Sequence, residues 1–180
     1  MKKAILIFGA TLLPCVSVAE VTDSAPGGFT TVNEVIVDGS IAESWAAAIQ
    51  VGAWWSSDHT ISGDAGRMSI EPVTQGCFCE SLGDGAGVVH LVVTSVMPAT
   101  SLRMTGGLGP LGLMGVNGNM TWDFEAFDDG TQVRFTYAVG GYLRGGLEQM
   151  AGPVDSVLGE ALLRLKAYIE TGNPEPATLE

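Results

Sequence analysis

Four groups of residues have the types and spacing to do chemistry. His90 sits in Val88-Val89-His90-Leu91-Val92-Val93, an otherwise apolar run. An imidazole there can act as a general base, or it can be a sheet histidine satisfied by one hydrogen bond. No acid or nucleophile is placed beside it by spacing, so the second use is favoured. His59 follows Asp58 in a polar stretch and reads as solvated. With two histidines and many serines, no Ser-His-Asp order stands out. Cys77-Phe78-Cys79 puts two sulfurs two residues apart. On a flat strand that is roughly 6.6 Å, with near-parallel Cβ vectors. A disulfide needs Cβ atoms about 4 Å apart, and so it needs a kink. The expectation is two small apolar residues on one strand face. A thiolate metal site with His59 or His90 matches no closed zinc pattern. Lastly, Gly107-Leu108-Gly109-Pro110-Leu111-Gly112 spells G-x-G-x-x-G, the spacing of a dinucleotide-binding turn.

That last motif fails on context. A pyrophosphate cradle needs a helix N-terminus directly after the glycines. Here Gly115 and Gly118 follow, and then a strand over 120–127; Pro110 also removes an amide donor. The stretch instead carries Leu108, Leu111, Leu113 and Met114 with little charge, which suits a loop that lines or plugs a cavity.

The elements that position these groups can be read from patterning. Phe29 to Val37 is β-branched and bounded by glycines, a first strand. Ser40 and Glu43 form a capping box for a short helix through Trp45, and Trp54-Trp55 falls in a second. Glycine-bounded strands follow over 68–73, 76–82, 88–96, 101–105, 120–127 and 131–139, with Asp128-Asp129-Gly130 as the last hairpin turn. Met120, Trp122 and Phe124 alternate with polar residues, as do Val133, Phe135, Tyr137 and Val139, so one face is covered and one is wet. Arg103 and Arg134 fall on the wet face. Leu147 to Ile169 is apolar at helical spacing; Pro153 reads as the first residue of the main helix and Gly172 as its cap. The class is α+β: a curved antiparallel sheet of about seven strands around one long C-terminal helix, with two short helices after strand one.

The ends and the charge bound the setting. Residues 1–19 have a basic start, an apolar run and small residues at Ser17-Val18-Ala19, the pattern of a cleaved signal peptide. A lipidated Cys15 is disfavoured by Pro14. Residues 20–172 then form the domain and 173–180 a frayed tail, in a periplasmic or secreted protein without an integral membrane segment. Loss of Lys2 and Lys3 leaves 6 bases against 20 acids, a charge of −14. Such acidity argues against nucleic acid as a partner.

The ordered set of motifs resembles the START-like, or Bet v 1-like (SRPBCC), superfamily, and most the branch that holds the activator of Hsp90 ATPase and polyketide-cyclase-like proteins. The matching pieces are Ile41-Ala42-Glu43-Ser44-Trp45-Ala46-Ala47, Trp54-Trp55, Gly76-Cys77-Phe78-Cys79-Glu80, Gly130-Thr131-Gln132-Val133-Arg134-Phe135-Thr136-Tyr137 and the helix ending Leu162 to Glu170. This resemblance implies a helix-grip fold with a cavity between sheet and helix that binds a hydrophobic or amphipathic small molecule. It fixes no activity. The ligand-facing residues expected are Trp55, His90, Met104, Leu111, Met114, Trp122, Phe135, Tyr137, Met150, Val154 and Leu158. No cofactor is expected, the chain should be a monomer or weak dimer, and Arg144 is a candidate partner for a ligand carboxylate. Binding is preferred over two alternatives: a cyclase- or hydrolase-like enzyme using His90 with Tyr137, and an envelope interaction module anchored by exposed Trp54-Trp55.

Overall fold

A computed structural model describes residues 18–176. The signal segment lies outside them up to residue 17, Cys15 included, as do tail residues 177–180.

One antiparallel sheet of eight strands carries the fold, in the order β1-β2-β8-β7-β6-β5-β4-β3. The strands are β1 (Val18–Ala25), β2 (Gly28–Val37), β3 (Met68–Ile70), β4 (Cys77–Gly83), β5 (Ala86–Met97), β6 (Ser101–Gly106), β7 (Gly115–Phe127) and β8 (Gly130–Tyr142). Two short helices, α1 (Ile41–Ala48) and α2 (Val51–Trp54), link β2 to β3 at the far edge, and α3 (Glu148–Thr171) closes the chain. This is the expected helix-grip arrangement with one more strand than anticipated. The addition is β1, which begins at Val18, inside the segment read as a signal peptide. It pairs with β2 along the sheet edge but buries almost nothing, Val21 alone being half-buried between Glu20 and Ala25, so it has no apolar alternation to reveal it.

Alternation builds the core. Phe29, Val35 and Val37 of β2, Met120, Trp122 and Phe124 of β7, and Val133, Phe135, Tyr137 and Val139 of β8 are all buried on one face. Ala151, Leu158, Ala161, Leu162 and Leu165 of α3 cover them. Trp122 stacks on Phe135 with centroids 4.4 Å apart, and Trp54 packs against both. The capping box holds α1, with the Glu43 amide donating to Ser40 Oγ and the Ser40 amide to Glu43 Oε2 at 2.9 Å. The helix α3 is tied to the sheet by Asn33 donating to Asp155 (3.0 Å) and by Lys166 donating to the Ile36 carbonyl (2.6 Å). Arg134 meets Glu34 at 2.8 Å on the outer face, as strand alternation required.

Two boundaries differ most from the sequence reading; in addition β3 ends at Ile70 instead of residue 73, and β8 runs to Tyr142 instead of residue 139. Pro153 lies inside α3, which runs unbroken from Glu148 to Thr171. A proline one turn and a half into a helix removes a single amide bond near the start, where few intrahelical partners are lost. Strand β7 starts at Gly115, five residues earlier than expected, because Gly115–Asn119 keep pairing with β8 despite their glycines. Gly172 ends α3 in the left-handed conformation (φ 74°), as expected. Beyond it the chain turns back, and Glu175 reaches Arg164 at 3.0 Å.

Candidate ligand cavity

The cysteines also depart from the sequence reading, and they shape the site. Cys77 and Cys79 are joined as a disulfide, with Cα atoms 5.4 Å apart, closer than the roughly 6.6 Å of a flat strand. The required kink is present. Phe78 pairs with Leu91 but Cys79 pairs with Val89, so His90 is an extra residue on β5. Such a bulge locally bends and twists the ladder. Its second consequence is that both His90 and Leu91, neighbours in sequence, point to the buried face.

Glu80 follows the disulfide and also points inward, 1 % exposed. Its carboxylate accepts from the amides of Ile61 (3.1 Å) and Ser62 (2.5 Å), and its Oε2 lies 3.1 Å from His90 Nε2. Burial alone pushes this carboxyl up, but the hydrogen bonds from Ser62, from the Ile61 amide and from His90 outweigh it and hold it at about 2. At neutral pH Glu80 is therefore an anion. The other ring nitrogen of His90, Nδ1, accepts from the Gly109 amide at 3.3 Å. Together these bonds place the proton of a neutral His90 on Nε2, donated to Glu80.

The glycine-rich loop is what meets His90. Residues Gly109–Leu113 form a single 3-10 turn and a strand follows, so no helix N-terminus faces the glycines and the nucleotide reading is excluded by geometry. The glycines serve close folding of the loop. A Cβ on Gly107 would lie 2.6 Å from the Gly112 amide nitrogen, and Gly109 has φ 56°. The Tyr137 hydroxyl anchors the loop from β8, donating to the Gly106 carbonyl (2.9 Å) and accepting from the Leu108 amide (3.0 Å). Burial pushes that phenol up to about 12, so it remains protonated.

Between this loop, the β3–β5 end of the sheet and the first half of α3 lies a cavity of about 350 Å³. Trp55, His90, Leu111, Met150, Val154 and Leu158, all anticipated from sequence, line it together. So do Leu108 and Leu111, both buried, whereas Leu113 at the rim is 91 % exposed. Leu108 and Leu111 thus belong to the core and form cavity wall at once, and Leu113 forms rim. Met104, Trp122, Phe135 and Tyr137 are buried outside the lining, in the sealed part of the core, and Met114 is half-buried against it. Arg144 is exposed and away from the lining. Trp54 and Trp55 are 0 % and 3 % exposed, which removes them as an exposed anchor.

Sequence reasoning missed Glu80 and understated His59. Residues Asp58, His59 and Thr60 supply the polar rim, with His59 Nε2 3.0 Å from Glu160 of α3. The signal for Glu80 was its separation of ten residues from His90 across a short hairpin, but the bulge that turns His90 toward it cannot be read from residue types.

No protein-family model matches the chain, and no curated protein does. Solved structures do. A conserved protein of unknown function, EF2215 from Enterococcus faecalis, superposes with a TM-score of 0.60 at 13% identity, over 91% of this chain and 82% of that one. CalU16 from Micromonospora echinospora gives 0.56 at 18% identity, over 89% and 87%. The Aha1 dimer from Colwellia psychrerythraea gives 0.54 at 18% identity, over 79% and 97%. No helix among the described residues is long and apolar enough to cross a membrane. The sheet order, the closing helix α3 and these likenesses agree: the chain has the Bet v 1-like helix-grip fold.

Proposed function

We propose that the protein is an exported binding protein that holds one hydrophobic or amphipathic small molecule between α3 and the β3–β5 end of the sheet. One observation carries this: a cavity of about 350 Å³ whose wall is built from Trp55, Leu108, Leu111, Met150, Val154 and Leu158. That volume falls within the roughly 300–1,000 Å³ of small-molecule sites, and such sites combine apolar walls with a few polar groups. The polar groups here are His90 and Gly109 inside and Asp58, His59 and Thr60 at the rim.

A second reading, a cyclase- or hydrolase-like enzyme, is favoured by the buried Glu80 carboxylate on His90, an orienting acid behind a ring at the cavity wall. One experiment addresses both. Protein isolated from its native host is examined by native mass spectrometry for a bound small molecule, which is then re-added to apo-protein. A molecule recovered unchanged supports the carrier, and one recovered with a changed mass supports the enzyme. A protein free of any bound molecule, and blind to apolar probes, contradicts both. Export is checked separately by the N-terminal sequence of the mature chain, expected to begin near Glu20.

A further inference from the structure

Resting on the cavity reading, the next matter is what a ligand presents to the polar atoms of the wall. No Lys or Arg lines the cavity among the described residues. The charged groups at the cavity are acids: Glu80 of β4 on His90 Nε2, and Asp58 at the rim, with Glu160 of α3 held on His59. On the side of β8, Tyr137 keeps its hydroxyl on Gly106 and Leu108. A carboxylate or phosphate ligand would enter without a cation to meet it.

Among the buried side chains that line the cavity, His90 carries the acceptor, Nδ1. Its availability is fixed by Glu80, because Nε2–H is committed to a carboxylate that two backbone amides also hold in place. The present donor to Nδ1 is the Gly109 amide, at 3.3 Å. That amide belongs to the wall loop, and both His90 and Gly109 face the cavity. A hydroxyl is both donor and acceptor. With the loop amide displaced from the ring, a hydroxyl that bridges the two donates to Nδ1 and accepts from the Gly109 amide, so neither partner is left unpaired. A ketone, ester or carboxylate accepts only and cannot satisfy the ring.

We infer that the molecule held in this cavity is a neutral amphiphile with a hydroxyl, an alcohol or a phenol, whose O–H inserts between His90 Nδ1 and the Gly109 amide. The insertion requires a neutral ring.

The test uses three matched probes on the intact protein: 4-hexylphenol, hexylbenzene and 4-hexylbenzoate, titrated by calorimetry. At pH 7.5 the phenol is expected to bind about 3- to 10-fold more tightly than hexylbenzene, and the benzoate more weakly than both. The double substitution His90→Phe with Glu80→Gln removes ring acceptor and buried charge together; with folding checked by circular dichroism, it brings the phenol down to hexylbenzene. Equal binding of phenol and hexylbenzene, tightest binding of the benzoate, or a phenol affinity indifferent to His90 overturns the inference and leaves the apolar cavity standing. Failure of all three probes to bind overturns the cavity reading and this inference with it.

Discussion

Strands β7 and β8 pair residue for residue from Gly115–Tyr142 to Phe127–Gly130 without a register shift. Strands β4 and β5 slip twice over a shorter pairing, once beside the disulfide, and β5 slips again against β6. The regular half of the sheet buries Met120, Trp122, Phe124, Val133, Phe135 and Tyr137 on its inner face. The irregular half turns Glu80 and His90 inward and borders the cavity. Regular pairing gives a core, because strict alternation delivers one large side chain to the inside at every second position. A bulge breaks that rule at one position, and here the position is the imidazole at the cavity wall.

The largest effect should come from breaking the regular half. Trp122→Ala removes the stack on Phe135 and the contacts to Trp54 and Phe78. It should cost about 3–5 kcal/mol in urea unfolding. Next is Glu80→Gln, which leaves His90 and the Ile61 and Ser62 amides with a poorer acceptor, at about 1–3 kcal/mol near neutral pH. The sign of its pH dependence follows from the depressed carboxyl. In the wild type, Glu80 contributes stability above its ordinary value of 4.5 and loses it as pH falls toward about 2. The gap between wild type and Glu80→Gln should therefore close across that window, as measured by thermal melts from pH 7 to pH 2.

Smaller still is reduction of the Cys77–Cys79 bridge. It closes a loop of three residues, so the chain-entropy relation gives only about 1.5 kcal/mol. Its more telling readout is local: reduction should shift the NMR signals of His90 and leave those of Trp122 in place, because the bridge borders the bulge and not β7. Identical spectra with and without reductant would disconnect the bridge from the site. The smallest effect is Arg134→Ala on the wet face, at about 0.2–1 kcal/mol and diminished by salt.

This same contrast explains what could be read from the residues. The alternation of Met120, Trp122 and Phe124, the Asp128-Asp129-Gly130 turn, the Ser40/Glu43 capping box and the apolar stripe of α3 are local signals, and each led to the element found. From Glu20 to Ala25, β1 has no fully buried residue and only Val21 half-buried, so its pairing with β2 defines it. Within the candidate site, the α3 residues Met150, Val154 and Leu158 were legible because helical spacing assigns a face. Trp122 and Phe135 were on the correct face but in the sealed half, and a sheet face alone cannot say where packing ends and a cavity begins. The His90–Glu80 pair depends on a register shift, a non-local property with no signature in residue types.

The most direct test of the account is whether the cavity takes an apolar guest. Val154 lies half-buried in its wall on α3, so Val154→Trp fills the space with little cost to the packed side of the helix. Titration with N-phenyl-1-naphthylamine should show fluorescence enhancement and one site per chain in the wild type. In Val154→Trp, with circular dichroism and melting temperature retained, that enhancement should be lost. Undiminished probe binding by a folded Val154→Trp protein would place the apolar site elsewhere and contradict the account.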